Sequence, residues 1–551
     1  GLMGPYMAPI PINASMGMLL SLAIAFVVTP WLARLLMKAV PAGADHDPEA
    51  LHGLSRWLAP RFERLFGPLL HAQRGGRNRK LLGLGVAGLI ALSVALPAVG
   101  LVMLKMLPFD NKSELQVMVD MPAGTPLEQT AATLQALGAW LDEQPEVRHL
   151  QAYAGSSAPI NFNGLVRQYF LRADPHQGDL AVTLLPKGQR KEQSHAIATR
   201  WRPALQKIGQ RFGANVKVVE VPPGPPVLAP IVAEIYGPEA SGRAQVAAAV
   251  RKVLGGQEGV VDVDDSGIAA APRQLLQVDR RKAMGLGVAP AQVVATLRAA
   301  QSGDAAIWLH DGSHRAVPAT LMLPAERAGD LDALLSLGVK SASGALIPLR
   351  ELVTVQDAQR EQPIYRKDGL AVHYVVADMA GRIDSPLYGL FSARSALQQI
   401  ETPDGGRLQE FFIQQPSDPY RGYSLKWDGE WQITYETFRD MGLAYAVGLV
   451  LIYLLVVAQF GSYLTPLIIM APIPLTVIGV MPGHALLSAP FTATSMIGMI
   501  ALAGIIVRNS ILLVDFINLQ VRAGMAFERA IQRSAITRAQ TILLTALAAM
   551  L

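Results

Sequence analysis

The sequence contains no cysteine among its 551 residues. That absence excludes a disulfide framework and any metal site built on thiolates. Charged residues are scarce at 17% and aromatic residues make up 6%, whereas 51% of the residues are hydrophobic. The formal net charge of +5 is too small to suggest a nucleic-acid partner. A chain this apolar and this long is not one soluble domain, so the positions of its apolar residues decide its class.

Several apolar runs are long enough to cross a membrane. A span needs about 20 mostly apolar residues, and five runs reach or approach this length: 14–36, 81–106, 441–460, 464–487 and 491–519. A sixth run begins near Thr537 and is cut off at Leu551. Because Gly1 also lies inside an apolar region, we expect the sequence to be a piece of a longer protein, from which no signal peptide can be read.

Basic residues near the spans predict which side of the membrane each loop faces. One cluster lies between the first two spans and another follows the fifth: Arg34, Lys38, Arg56, Arg61, Arg64, Arg74, Arg77, Arg79 and Lys80, then Arg522, Arg529, Arg533 and Arg538. Four spans separate the clusters, so both lie on one side, which their positive charge identifies as the cytoplasm. The block between Met106 and Thr437 is therefore predicted to be extracytoplasmic.

The first basic loop also carries an apolar stripe at helical spacing, formed by Leu51, Leu54, Leu58, Phe62, Leu65 and Leu69. Its arginines lie mostly off this stripe. The pattern predicts an amphipathic helix on the cytoplasmic surface of the membrane. The alternative is a cytoplasmic helix packed on another domain.

The extracytoplasmic block alternates between strand and helix patterns. Four strand–helix–strand units are predicted, over 114–153, 179–221, 231–265 and 371–415, and pairs of such units make ferredoxin-like layers. The stretch "VPPGPPVLAP" at 221–230 marks the joint between two subdomains, and 272–352 interrupts the pattern as an inserted module. The block has no HExxH, GxSxG or P-loop motif, which argues against a hydrolytic enzyme. An extracellular sensor or scaffold remains open.

The order of spans and block resembles the resistance–nodulation–division (RND) efflux permeases of the acriflavine-resistance type. The resemblance rests on "VVTPWLARLL" (27–36), "MLPFDNKSELQVMVDMPAGTPLEQT" (106–130), "VDRRKAMGLGVAPAQV" (278–293), "APIPLTVIGV" (471–480) and "GIIVRNSILLVDF" (504–516). It implies a C-terminal half that runs from the family's sixth span into its eleventh. The stretch "KWDGEWQITYETFRDMGLAYAV" (426–447) resembles an uncharacterised sub-branch.

The resemblance implies an α-helical transmembrane bundle with an α+β periplasmic porter domain. The predicted divisions are the sixth span at 1–38, a cytoplasmic loop at 39–80, the seventh span at 81–106, one porter subdomain at 107–229, a second at 230–271 and 353–436 around a docking insertion at 272–352, the eighth to tenth spans at 437–519, and a cytoplasmic link with the start of the eleventh span at 520–551. It also implies the inner membrane of a Gram-negative bacterium, a homotrimer, and two partners: a periplasmic adaptor and an outer-membrane channel.

Arg508 is the main candidate for energy coupling. A charge at mid-bilayer is costly and normally faces a partner, and Arg508 shares a helix face with Ala501, Gly504 and Asp515. In the family, a lysine at this position faces two aspartates on the fourth span, through which protons move. Arginine stays protonated, so we expect it to serve as a fixed counter-ion to such acids. The alternative is that Arg508 reaches to the membrane surface.

The resemblance extends the predicted proton relay to Asn509 and Thr545, with Arg538 and Asp515 as supporting or anchoring residues. Arg538, Thr541 and Thr545 share one helix face. Three alternatives stay open. Thr545 can bond only its own backbone, Asp515 can be a helix-end residue, and Arg538 can be an interfacial anchor instead of a proton-entry group.

The stretch "YAGSSAPINFNGLVRQYF" (153–170) corresponds to the family's drug-binding switch loop. Tyr153, Phe162 and Phe170 are the predicted substrate-binding residues, although each can also be ordinary core. Copper exporters of the family use a methionine trio, and the corresponding positions here carry Val288, Leu228 and Ala345–Leu346. We therefore predict no metal site and no cofactor, with small organic or amphiphilic solutes as cargo.

Three functions remain: a proton-driven exporter, which is a transporter and not an enzyme; a related lipid or protein-translocation helper; and a membrane sensor. A helper should lack the insertion at 272–352, and a sensor would not need Arg508. The upstream sequence would discriminate best, through two adjacent aspartates in its fourth span.

Overall fold

The computed structural model describes residues 8–36, 54–70, 75–221, 227–310, 312, 314–381 and 384–550. The chain begins with an apolar helix, α1 (Pro9–Leu36), whose side chains are exposed along its length. Helix α2 (Leu54–Leu70) lies in the predicted interfacial segment and contacts helix α3 (Gly75–Ala98). Leu51 and Lys38 lie outside the described residues.

The second span ends earlier than predicted. Helix α3 ends at Ala98, and the apolar residues that follow run on to Met106 without helix. There Leu104 forms an isolated β-bridge with Phe491, and both Val102 and Met106 are 1% exposed. Val102 and Met106 are thus packed inside the protein, whereas Val99 and Leu101 are exposed. The helix ends at Ala98, so the prediction of a span through Met106 is wrong at its end.

The first subdomain, residues 114–220, has two strand–helix–strand units. Its elements are β1 (Glu114–Asp120), α4 (Leu127–Asp142), β2 (Val147–Ala154), a short helix α5 (Phe162–Val166), β3 (Gln177–Leu184), α6 (Ser194–Arg211) and β4 (Asn215–Glu220). The strands form an antiparallel sheet in the order β2-β3-β1-β4. One sheet face packs on α4 and α6 around the buried side chains of Leu137, Trp201 and Leu205.

A second sheet opens with β5 (Ile231–Tyr236), α7 (Ala240–Gly255) and β6 (Val260–Asp265). The chain then forms a separate compact unit, which consists of Gly267–Pro363 and the short stretch Pro122–Gly124. This unit contains β7 (Pro272–Val278), α8 (Arg280–Gly285), α9 (Pro290–Ser302), β8 (Asp304–Leu309), β9 (Val317–Leu321), α10 (Ala325–Ala328), α11 (Leu331–Leu335), β10 (Gly338–Lys340), β11 (Leu346–Pro348) and β12 (Val353–Gln359).

The predicted end of the insertion needs a correction. Strand β12 starts at Val353 and pairs along its length with β7, so it completes the inserted unit. The sequence had assigned residues from 353 onward to the second subdomain. Periodicity alone could not show this, because the pairing joins the two ends of the insertion.

The second subdomain, residues 231–265 and 365–429, resumes with β13 (Tyr365–Lys367), β14 (Leu370–Met379), α12 (Pro386–Leu397), β15 (Gln409–Phe411) and β16 (Ser424–Gly429). Strands β14 and β16 flank β5, whereas β15 lies at the edge beside β16. The predicted strand over 408–415 is therefore only the short β15, and the central strand β16 was missed. The core of this subdomain includes Ile235, Val375 and Trp427.

The chain returns to apolar helices in α13 (Glu430–Phe460), α14 (Leu464–Met470), α15 (Val477–Leu486), α16 (Ala493–Arg522) and α17 (Phe527–Met550). Helix α17 starts ahead of the predicted Thr537 and contacts α16 and α2. A single 3-10 turn separates α14 from α15 near Pro472 and Pro474. Among the described residues, five helical segments are long and apolar enough to cross a membrane: 9–36, 75–98, 430–460, 464–486 and 493–522.

Candidate functional site

Helix α16 has one buried and one exposed face. It starts at a capping box in which Thr492 and Ser495 bond each other's backbone amides. Ala503 and Val507 pack against Val456 and residues of the neighbouring span. The opposite face forms an exposed stripe, defined here by Ala501, Gly504, Arg508, Leu512, Asp515 and Leu519. The predicted shared face of Arg508 and Asp515 is thus observed, and the described helices leave it exposed.

Arg508 lies at the middle of this stripe. It borders an open cavity of about 280 Å³ between α16 and α13, lined by Ile452, Gly504, Val507, Arg508, Ile511 and Leu512. The lining is almost entirely apolar. Among the described residues, no carboxylate lies within ion-pair distance of the Arg508 guanidinium. A permanent cation therefore borders an apolar space and has no acidic partner among the described residues.

The other predicted relay residues do not converge on Arg508. Asn509 is half-exposed and follows Arg508 on the same helix. The hydroxyl of Thr545 donates to the carbonyl of Thr541 at 2.8 Å, which is the backbone bond that was the alternative for this residue. The guanidinium of Arg538 stacks over the ring of Phe516 at 4.7 Å. Their roles in a proton relay stay predictions.

The Phe516 contact was missed from the sequence. The next residue along α16 from Asp515 supplies the ring, so Arg538 on α17 is held beside the C-terminal part of α16. Asp515 itself is exposed and forms no ion pair with a described residue. The sequence does not show that α16 and α17 are in contact, so it gives no signal that Arg538 would stack on Phe516.

Of the candidate substrate residues, Tyr153 lies near the end of β2, and Phe162 and Phe170 lie on the segment between β2 and β3. Tyr153 is half-buried, and its hydroxyl donates to Gln151 at 2.9 Å. Phe162 and Phe170 are 41% and 40% exposed. Three aliphatic side chains that the sequence analysis did not single out are more exposed still: Ile160, Leu165 and Leu171. The exposed side chains of Ile160, Phe162, Leu165, Phe170 and Leu171 give the segment between β2 and β3 an apolar surface.

Two arginines hold this segment in place. Arg172 donates to the carboxylate of Asp120 at 2.6 Å and to that of Asp179 at 3.3 Å, which fixes one end to the first sheet. Arg167 forms a bidentate pair with Asp378 of the second subdomain, at 2.8 and 3.2 Å. Burial raises the pKa of the Asp179 carboxyl above its ordinary value, despite the Arg172 charge. The apolar surface therefore sits on a segment that is bonded to both subdomains.

The pair between Arg167 and Asp378 belongs to a charged seam between the subdomains. Arg202 pairs with Asp262, and Lys217 pairs with Asp264. In all three pairs the first subdomain supplies the cation and the second supplies the carboxylate: Arg167–Asp378, Arg202–Asp262 and Lys217–Asp264. Each subdomain has its own hydrophobic core. The two cores are separate, and the three ion pairs connect the subdomains across the seam.

The model of the AcrB/AcrD/AcrF family matches residues 1–551. The chain is 24% identical over 491 residues to the nickel and cobalt resistance protein CnrA of Cupriavidus metallidurans, covering 86% of this chain and 42% of that protein. It is 23% identical over 570 residues to the multidrug resistance protein MdtC of Klebsiella pneumoniae, covering 100% and 50%.

A crystal structure of a heavy metal efflux pump superposes with a TM-score of 0.69 at 22% identity, covering 90% of this chain and 48% of that one. This likeness concerns the fold. The chain spans about half the length of the curated relatives it matches. Matched along its whole length by the family model, and built from spanning helices around an α/β block, the chain belongs to the AcrB/AcrD/AcrF family of RND permeases.

Proposed function

We propose that this chain is part of the permease subunit of a proton-driven RND exporter. The α/β block lies in the periplasm of a Gram-negative bacterium, and the spans lie in its inner membrane. The subunit works as a homotrimer with a periplasmic adaptor and an outer-membrane channel. The observation that carries the proposal is Arg508, a permanent cation on the exposed stripe of a spanning helix.

The chemistry of arginine defines the role of this residue. The guanidinium stays charged at any physiological pH, so it cannot carry the transported proton. It can pair with a carboxylate while that group is ionised and release it on protonation. Gly504 and Ala501 on the same stripe allow another helix to come close. We infer that acids from the rest of the permease occupy this face and that protons move on them.

Asn509, Thr545, Arg538 and Asp515 support this relay in the proposal. Asn509 adjoins the cation, and Thr545 lies on α17, which contacts α16. Arg538, stacked on Phe516, admits protons from the cytoplasmic end or anchors the helix pair there. The unit at 267–363 serves as the docking module, which a translocation helper would lack, and a sensor would have no use for Arg508.

Small organic or amphiphilic solutes are the proposed cargo. The segment between β2 and β3 offers Phe162, Phe170, Ile160, Leu165 and Leu171 as exposed apolar side chains, with Tyr153 near its start. Aromatic rings bind apolar and planar molecules through large contact areas. Such a surface suits a hydrophobic or amphiphilic ligand.

Export of divalent metal cations is the second candidate. Several similar proteins carry nickel, cobalt, zinc or cadmium resistance in their names. A strain that lacks the full-length protein should therefore be tested against organic dyes, detergents and antibiotics, and against salts of these four metals. Hypersensitivity to the organic compounds alone supports the first cargo, and hypersensitivity to metals alone replaces it with the second.

The coupling role is tested by Arg508→Met in the full-length protein. We expect efflux to fall to the level of the deletion strain while membrane expression is unchanged, because the acids lose their counter-ion. Arg522→Met, at the exposed end of the same helix, is the matched control and should transport normally. Near-normal efflux by Arg508→Met would reject the relay.

A further inference from the structure

Four ionisable side chains are in contact where the membrane helices join the α/β block, and a fifth, Glu430, lies close enough to feel the charges of two of them. Lys105 follows α3, His195 lies at the start of α6, and Glu220 ends β4. Asp384 precedes α12, and Glu430 is the first residue of α13. These five residues are called the junction cluster below. They come from five parts of the chain, so the cluster touches both subdomains and the start of a span.

His195 lies between two carboxylates of the junction cluster. Its Nδ1 is 2.7 Å from Glu220 Oε2, and its Nε2 is 3.4 Å from Asp384 Oδ2. The same Asp384 oxygen accepts a hydrogen bond from Lys105 Nζ at 2.7 Å. Carboxylates beside both ring nitrogens favour an imidazolium, in which each nitrogen carries a proton. The ring of Phe109 stacks on His195 at 4.2 Å and shields it from solvent.

Two carboxylate oxygens of the cluster have no donor among the described residues. Glu430 is 7% exposed, and its Oε1 is buried without a hydrogen-bond partner. Oδ1 of Asp384 is also buried without a hydrogen-bond partner among the described residues. The charges of Lys105, Asp384 and Asp378 act on Glu430. A buried ionised oxygen that accepts no hydrogen bond is costly, and a bound proton removes that cost.

The charge balance of the cluster also calls for protons. Among the described residues of the cluster, three carboxylates stand against one ammonium, so their net charge is −2 while His195 is neutral. Asp378 adds no net charge because it is paired with Arg167. Burying an unbalanced charge is unfavourable. Protons on His195 and on one carboxyl would make the cluster neutral.

The pKa directions agree with this balance. Burial lowers the pKa of His195, but the hydrogen bond and charge of Glu220, with the charge of Asp384, raise it above its ordinary value. Burial raises the pKa of Asp384, although Lys105 opposes this. Both shifts mean that the folded contact binds protons more tightly than the separated groups do.

We propose that the junction cluster is a proton-binding site, distinct from the Arg508 stripe, and that protons held there keep the first subdomain joined to Asp384 and to the start of α13. For His195, the stabilisation is present below the unfolded pKa and is lost as pH rises through the raised folded pKa. For Asp384, a raised pKa acts in the same direction. The contact therefore weakens as pH rises, by at most about tenfold per pH unit for each proton released on opening.

Hydrogen exchange of the full-length protein tests this site without any transported molecule, so the result is independent of the proposed function. Protection factors of the first turns of α6 are measured from pH 6 to pH 8 and corrected for intrinsic exchange. We expect wild-type protection to fall as pH rises, by at most about tenfold per pH unit for each proton released. His195→Gln can still bond Glu220 but cannot carry the charge, so this dependence should flatten. His149→Gln, on the exposed side of β2, should keep the wild-type dependence.

Amides of the separate unit at 267–363 provide the internal reference, and their protection factors should not change with pH. Glu430→Gln should also reduce the slope, since it removes a second proton acceptor. Wild-type protection that does not change with pH overturns the proposal, and this measurement needs no variant to fold. A wild-type slope in His195→Gln overturns it as well.

Discussion

Tyr423 shows how closely single residues determine the packing of the second subdomain. Its ring lies against Gly237 and Gly242, and a Cβ built on Gly242 would come within 1.9 Å of the Tyr423 hydroxyl oxygen. The ring is 5% exposed and belongs to the hydrophobic core. Neither glycine has a positive φ, so space, and not backbone conformation, makes glycine necessary here.

Gly242→Ala should therefore destabilise the protein. Overpacking of a core costs about 1–3 kcal/mol, and we expect a lower apparent melting temperature of the full-length protein in detergent. Gly255→Ala on the same helix is the matched control, because nothing lies within 4 Å of its added Cβ. Its melting temperature should be equal or slightly higher, since alanine favours helix. Equal values for the two variants would contradict the packing argument.

At the level of residues, the sequence could single out a candidate functional residue but could not show which side chains it contacts. Arg508 could be singled out because a charge in an apolar run is costly wherever the helix lies. The contact of Arg538 with Phe516 depends on how two helices pack, which periodicity does not contain. The same holds for the junction cluster, whose members are far apart in sequence and include one histidine with no motif around it.

At the level of elements, most helices and strands followed the apolar period, and the misses have physical causes. Strand β16 has six residues, ends at Gly429 directly before the start of α13, and is buried on both faces. Its Lys426 is 3% exposed and lies 3.4 Å from Glu234 on β5. Strand β16 pairs with β5, which is about 190 residues earlier in the chain, so the local sequence does not show that β16 is a central strand. The prediction therefore gave this position to the edge strand β15.

The exposed stripe of α16 leads to a prediction about helix approach. A Cβ added to Gly504 meets nothing within 4 Å in this chain, so the chain alone predicts no clash. If another helix of the permease packs on the stripe, Gly504→Leu should reduce efflux strongly and Gly504→Ala less so. Transport rates of the full-length variants, normalised to membrane expression, measure this. Full activity of Gly504→Leu would show that the stripe faces lipid.

At the level of the whole molecule, apolar packing stabilises each subdomain, whereas ion pairs join the two subdomains. Each contains its own buried apolar core. Among the described residues, three Arg or Lys pairs cross the seam between them, and the first subdomain supplies the cation in each. Desolvation offsets much of the attraction in a buried ion pair, and polar interfaces within a chain commonly permit relative motion. The seam can therefore separate without exposing either core.

Arg202→Met tests the seam, because it leaves Asp262, 2% exposed in its side chain, buried without its cation. Removing one partner of a buried pair costs about 3–5 kcal/mol. Arg200→Met is the matched control on the same helix, since Arg200 pairs with Glu146 and Glu192 at the surface, where a pair contributes about 0.2–1 kcal/mol. Hydrogen exchange of β6 in the full-length protein should accelerate in the first variant and stay unchanged in the second.

The pH dependence of that defect follows from Asp262 itself. Burial raises the pKa of this carboxyl even with Arg202 present, and loss of the cation raises the pKa further. At acidic pH the carboxyl of Arg202→Met takes up a proton and the buried charge disappears. The excess exchange of β6 in this variant should therefore shrink as pH falls. An excess that stays constant or grows toward acidic pH would show that Arg202 acts through packing and not through its charge.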